Sequence, residues 1–283
     1  MRIAAAALIL LFGTAPVYAQ EKQFESTPAF DGCGDPSYEK AKSEGVTIAI
    51  SPSQPFSFLD PKTNEALGIE VEIGRAALNW AGVTKLKYEI MPYGQIIPAL
   101  LAKRVDIDYA VHITPERKKV ISFTGPIYWY GPAIIVKKGS NQSFKSFEDL
   151  KGKRIGAIAG SAADEYLRKV GAEVVPFQDD AAEWGSISGG QVEAVVDDDV
   201  KVKLFLVANP TAPLEIVPNV PVPNELIFTY GYGYVRSGLR KEDCSLRAAY
   251  TQGIAEVRAN GTVSEVLKKY GLSNDNLFYF PIK

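Results

Sequence analysis

From Gly45 onward, short runs of β-forming residues alternate with amphipathic helical segments, and this alternation restricts the chain more than any other feature. "GVTIAI" (45–50) reads as a strand, followed by the Pro-rich turn "SPSQPF" and a hairpin-like excursion, "FSFLDPKTNEALG". In "IEVEIGRAALNWAG" the residues Ile73, Ala76, Ala77, Trp80 and Ala81 share one helical face, and Gly82 stops the helix. "KLKYEIM" is a strand, "GQIIPALLAKR" a helix with Pro98 expected near its first turn, and "VDIDYAV" a strand. The pattern then recurs in "PAIIVKKG", "SFEDL", "KRIGAIAG", "SAADEYLRKVG" and "VEAVV", with Ser161 and Asp164 spaced as a capping box. "LIFTYGYGYV" is a long aromatic and β-branched run. The last long helix, "SLRAAYTQGIAEVRAN", aligns Leu246, Ala249, Tyr250, Gly253, Ile254 and Val257. Such alternation implies α/β layers around a largely parallel sheet.

The first residues are of another kind. "MRIAAAALILLFGTAPVYAQ" carries one basic residue, an apolar run from Ile3 to Phe12 and small Ala19, which reads as a secretory signal peptide over residues 1–19. The apolar run is too short to span a bilayer. Residues 20–44 form an expected lead-in. The remaining length suits two domains or one large one. A net charge of −2 without a long basic run gives no reason to expect nucleic acid or membrane surfaces as partners. Cys33 and Cys244 are the only cysteines, and in an oxidising compartment such a pair is more readily bridged than free. One histidine and two distant cysteines provide no zinc-ligand cluster, and the absence of a P-loop and of "GxGxxG" implies no nucleotide cofactor.

The single histidine stands in "HITPER" (112–117). Thr114 suits the N-cap, Pro115 the first helical position and Glu116 the positive end of the dipole. Arg117 opposes that dipole, which an anion shared between the helix start and the guanidinium would explain. Ligands of open α/β sheets bind at the carboxyl ends of strands. Three such ends carry polar groups: "DYAV" leads to His112, Thr114 and Arg117, "IGAIAG" to Gly160 and Ser161, and "VEAVV" to Asp197, Asp198 and Asp199. Donors and a cation at the first two, with anions at the third, complement a zwitterion. Each also has a plain reading as a solvated arginine, a βα turn or a polar loop. No "GxSxG" frame offers a nucleophile.

From about Gly45 to Phe278 the chain resembles the family 3 solute-binding proteins of bacterial ABC importers, which bind polar amino acids and their relatives. The resemblance is carried by "GIEVEIGRAAL", "IIPALLAKRVDI", "ITPERKKVISFTGPIY", "LKGKRIGAIAGSAADEYL", "VEAVVDDD" and "LRAAYTQGIAEVRANGTVSEVLKKYG". It implies an α/β, two-lobed periplasmic-binding-protein fold with two hinge crossings. Lobe 1 would comprise 45–130 and 232–283, and lobe 2 would comprise 131–231. It further implies that Arg117 takes a ligand carboxylate and Asp198 an α-amine. Gly160, Ser161 and Ala162 would supply donors, Tyr93 would pack on the ligand, and His112 and Thr114 would line the cleft. Both chain ends would lie in lobe 1, so that Cys33 and Cys244 can meet in a disulfide. The implied protein is a periplasmic monomer that delivers an amino acid or derivative to an ABC permease.

Where many members place a stacking aromatic, this chain has Ser53 or Gln54. That departure suits a bulkier or more polar ligand, such as an opine. The resemblance to ectoine-type and opine-type binders points the same way. His112, beside a guanidinium, is expected to be neutral at pH 7, with binding weakening below about pH 6. The rival reading is a cleft enzyme on the same scaffold, of the prephenate or arogenate dehydratase type, with His112 or Asp197 as general acid.

Overall fold

The computed structural model describes residues 33–140 and 143–278, so the expected signal peptide lies outside the described residues. In chain order, the first part comprises α1 (Ser37–Glu44), β1 (Val46–Ile50), β2 (Phe58–Leu59), β3 (Ala66–Leu67), α2 (Ile69–Trp80) and β4 (Leu86–Ile90). It continues through α3 (Tyr93–Leu101), β5 (Ile107–Val111), α4 (Pro115–Val120) and β6 (Ile121–Phe123). The middle part holds β7 (Pro132–Lys137), β8 (Arg154–Ile158), α5 (Ala162–Val170), β9 (Glu173–Phe177) and α6 (Asp180–Ser188). It goes on with β10 (Ala194–Asp198), α7 (Asp199–Ala208), β11 (Leu214–Ile216) and α8 (Asn224–Phe228). β12 (Arg236–Arg240), α9 (Cys244–Ala259) and α10 (Thr262–Lys269) close the described chain together with a 3-10 turn at Asn274–Leu277.

Two five-stranded sheets result, in the orders β4-β1-β5-β12-β6 and β11-β7-β10-β8-β9. β1 runs parallel to β4 and β5, whereas β12 is antiparallel to β5 and β6. In the second sheet β8 is parallel to β9 and β10, while β7 is antiparallel to β10 and β11. Both sheets are therefore mixed, which corrects the largely parallel expectation. A strand that returns from the other sheet enters as an antiparallel neighbour.

The chain crosses between the sheets twice, and the crossings pair with each other. Ile127 N–H donates to the Val235 carbonyl at 2.8 Å, Val235 N–H to Tyr128 at 3.1 Å, and Tyr130 N–H to Gly233 at 3.1 Å. The aromatic run at 226–235 therefore splits. Its start is α8 and its end is the second crossing, because the tyrosines pack around the joint rather than along one sheet. Tyr130 stacks on Phe56 with centroids 4.9 Å apart.

The helical face read for α9 is the buried one, whereas in α2 Ile73 and Ala77 are buried as expected but Trp80 is 50% exposed, which corrects that end of the face. In α9, Leu246, Ala249, Tyr250, Gly253, Ile254 and Val257 all face the core. α9 packs on α2 with little backbone separation. A Cβ on Gly253 would stand 2.1 Å from the Ala77 carbonyl oxygen, and one on Gly74 would stand 2.6 Å from the Tyr109 ring. One expectation is corrected: Pro98 lies inside α3 beyond its first turn. The lead-in contains α1, which packs on α9. Asp35 accepts from the Ser37 and Ser245 N–H groups, tying both segments together. Cys33 and Cys244 are disulfide-bonded with Cα atoms 5.4 Å apart.

Candidate ligand-binding cleft

A cavity lies between the two sheets, and both supply its walls. From the first sheet and its helices come Ser53, Glu70, Tyr93, Asp108 and His112. From the second come Ser161, Ala162, Asp180, Asp198 and Lys201. Tyr130 and Tyr232, from the crossings, also line it. Six of the nine residues expected at the site thus line the cavity: Ser53, Tyr93, His112, Ser161, Ala162 and Asp198.

Arg117, Thr114 and Gly160 stand just behind the lining. Thr114 caps α4 as expected, its hydroxyl accepting from the Arg117 N–H at 3.2 Å. The Arg117 side chain, 4% exposed, bridges the lobes. Nη1 donates to the His112 carbonyl at 2.9 Å and Nη2 to the Gly160 carbonyl at 2.6 Å. The guanidinium also lies over the Tyr93 ring, 5.5 Å from its centroid. The Gly160 N–H is engaged by the Asp164 carboxylate at 2.9 Å, while the Asp164 N–H donates to Ser161 Oγ at 3.1 Å. This is the capping box displaced by one residue, since Asp164 reaches the N–H before the cap. A second bond across the cleft runs from Ser53 Oγ to Asp180 Oδ2 at 2.8 Å.

The electrostatics of the walls were only half visible in "DDD". Asp198 receives the Tyr232 hydroxyl at 2.6 Å, and its carboxyl is pushed up to about 7 by burial, with Lys201 opposing and Asp197 adding to the rise. Asp197 accepts from Trp184 Nε1 at 2.8 Å and from the Asp198 N–H at 2.8 Å, and it pairs with Lys201 Nζ at 2.7 Å. Lys201 also pairs with Asp180 at 2.8 Å. Burial opposes the lysine charge, yet Asp197 and Asp180 hold its pKa well above the usual value. Glu183, fully buried beside them, has its pKa held well above the usual carboxylate range by burial and by Asp197.

His112 is 7% exposed and stacks on Tyr232 at 4.5 Å, with its edge toward Tyr130 at 5.6 Å. Burial, then Arg117 and Arg236, lower its pKa to about 3, so the ring is neutral at pH 7 as expected. A weakening of binding below about pH 6 would therefore not come from His112. Burial moves the ring's titration far below that range. Sequence reasoning missed Glu70, Asp108, Asp180 and Lys201. An acid between Ile107 and Tyr109 in a buried strand was a usable signal, as was the i, i+4 spacing of Asp197 and Lys201.

Residues 46–273 match the family described as bacterial extracellular solute-binding proteins, family 3. The chain belongs to that family. Among its relatives, the histidine-binding periplasmic protein of Escherichia coli (strain K12) is 29% identical over 80% of this chain and 87% of its own length. The L-arginine-binding protein of Pseudomonas aeruginosa is 28% identical over 81% of this chain and 89% of its own. Among solved structures, an ancestral arginine-binding protein bound to arginine superposes with a TM-score of 0.68 at 30% identity, covering 80% of this chain and 97% of that one. A mutant of ArgBP from T. maritima gives 0.71 at 28% identity, covering 83% and 98%. In this family 3 member the two crossings are the hinge crossings of the two-lobed fold, and the cavity lies between its lobes.

Proposed function

We propose that this chain is the periplasmic receptor of an ABC importer, working as a monomer that captures an amino acid or a derivative and presents it to the permease. The proposal takes 1–19 as an export signal, 45–130 and 232–283 as lobe 1, and 131–231 as lobe 2. One observation carries it: the Arg117–Gly160 and Ser53–Asp180 hydrogen bonds clasp two lobes around a cavity that both line. Contacts that exist only with the lobes together make closure and ligand capture one equilibrium. On binding, Arg117 turns free donors of its guanidinium fork toward the ligand carboxylate. Asp198 takes the amine, and Ser161, Ala162 and the first-turn N–H groups of α5 add donors. The amino-acid names of the relatives support this reading.

The dehydratase reading is weaker in physical terms. Asp197 is occupied by Trp184, Lys201 and its neighbour's N–H, and a histidine with a pKa of about 3 is a poor proton donor at neutral pH. Calorimetry with a panel of amino acids tests the assignment. Arg117→Ala should weaken the best ligand by roughly 30- to 5000-fold, because removing one partner of such a pair costs about 2–5 kcal/mol. An affinity within a few-fold of wild type would remove Arg117 from the site.

A further inference from the structure

Two acids of the first lobe are built into the cavity wall without a cation. Glu70, in the first turn of α2, and Asp108, within β5, are 5% and 2% exposed, and both line the cavity. Glu70 accepts one long hydrogen bond, from the Tyr128 hydroxyl at 3.3 Å, and Asp108 accepts one, from the Ala110 N–H at 3.2 Å. Among the described residues neither forms an ion pair, although a carboxylate has room for about four hydrogen bonds. In the same wall, His112 Nε2 is buried and has no hydrogen-bond partner among the described residues. Burial, then Asp108 and Asp198, push Glu70 up to about 8. Burial, with Arg117 opposing, pushes Asp108 up to about 7.

Buried carboxyls with neither cation nor full hydrogen bonding are costly in a core. They are suited to a wall that meets a cation from outside. We propose that Glu70 and Asp108 form a subsite for a cationic group of the ligand, additional to the amine at Asp198. The ligand is then an arginine- or ornithine-like amino acid, or the dication left when such an amino acid loses its carboxylate. Neutral and acidic amino acids fit this wall poorly, and so does the extra carboxylate of an opine. The proposal rests on the cleft being the amino-acid site argued above.

The test is calorimetry of the purified wild-type protein with L-arginine, L-ornithine, L-citrulline and agmatine. L-citrulline keeps the shape of arginine without its charge. L-arginine or L-ornithine should bind at least about 30-fold tighter than L-citrulline, the lower bound for an unpaired buried charge. Glu70→Gln and Asp108→Asn should erase most of that ratio. L-citrulline binding as tightly as L-arginine would overturn the subsite while leaving the amino-acid reading standing. Agmatine matching L-arginine would support the subsite and remove the carboxylate role of Arg117. If none of the four binds while another amino acid of the panel does, the subsite falls and the amino-acid reading stands.

Discussion

The two walls of the cleft both hold acids, two on the first lobe (Glu70 and Asp108) and four on the second (Asp179, Asp180, Asp197 and Asp198), and treat them in opposite ways. On the second lobe, Lys201 reaches Asp197 and Asp180 at 2.7 and 2.8 Å, so these two carboxylates meet their cation within the protein. On the first lobe, Glu70 and Asp108 have no lysine or arginine at ion-pair distance among the described residues, and each keeps a single hydrogen bond. An acid cluster therefore does not by itself mark a recognition surface. What distinguishes the two is whether the neutralising cation is encoded in the chain. Where it is encoded, the acids hold a loop and a helix start in place. Where it is missing, the wall is left to be neutralised by protons or by a ligand.

Removing the internal cation breaks this comparison most severely. Lys201→Met should destabilise the protein by about 3–5 kcal/mol, since removing one partner of a buried pair strands the others. Urea titration followed by tyrosine and tryptophan fluorescence measures it. Glu70→Gln should leave the unliganded midpoint unchanged or raised, because it removes an acid without stranding a cation. Equal losses in the two variants would abolish the distinction between the walls.

The next effect is a dependence of stability on pH. Glu70 faces Asp108, Asp198, Lys201 and Tyr128, and Asp108 faces Arg117 and Glu70. In the folded protein Glu70 titrates at about 8, and Asp108 and Asp198 at about 7, whereas in the unfolded chain such carboxyls titrate near pH ~4. The folded state thus binds more protons between these values, and stability must fall as pH rises through that window. His112 acts the other way. With a folded pKa of about 3, it withdraws stability only as pH falls below the unfolded value of about 6.5. The thermal midpoint without ligand should therefore decline from pH 6 to pH 8, and Glu70→Gln should flatten that decline. The affinity for L-arginine should rise over the same interval, because a cation competes with the protons. A midpoint that rises from pH 6 to pH 8 would contradict the open-wall reading.

The contrast between the walls also explains what the sequence could reveal. Alternating periods place α2, α9 and most strands correctly, since burial of a single face enforces each of them. The cap at Thr114 is legible because a local hydrogen bond decides it. α7 escapes notice because "VKVKLFLV" alternates with period two, which resembles a strand, while its buried Lys201 is held by Asp197 one turn earlier. The site residues carried by strand ends and by the family resemblance mostly line the cavity. Glu70 escapes because an acid in the first turn of a helix normally serves the dipole in solvent. Only tertiary packing, with α2 buried against the cleft, turns it inward.

The smallest effect concerns His112, which sits in the open wall but carries no charge. Its Nε2 has no hydrogen-bond partner among the described residues, and its ring stacks on Tyr232. His112→Phe preserves an aromatic stack and deletes the nitrogen. If Nε2 bonds the ligand, the substitution should cost the net worth of one hydrogen bond, about 0.5–1.5 kcal/mol, or roughly 2- to 13-fold in affinity. Because the ring titrates at about 3, it stays neutral from pH 5 to pH 8. The slope of affinity against pH should then be the same in wild type and His112→Phe, and it should be reduced when Glu70, Asp108 or Asp198 is neutralised. Calorimetry with L-arginine at pH 5, 6.5 and 8 separates the outcomes. A variant with unchanged affinity would place the histidine among the supports of Tyr232 rather than at the ligand. A variant with an altered slope would mean that the ring, and not the two carboxyls, carries the proton linkage of this wall.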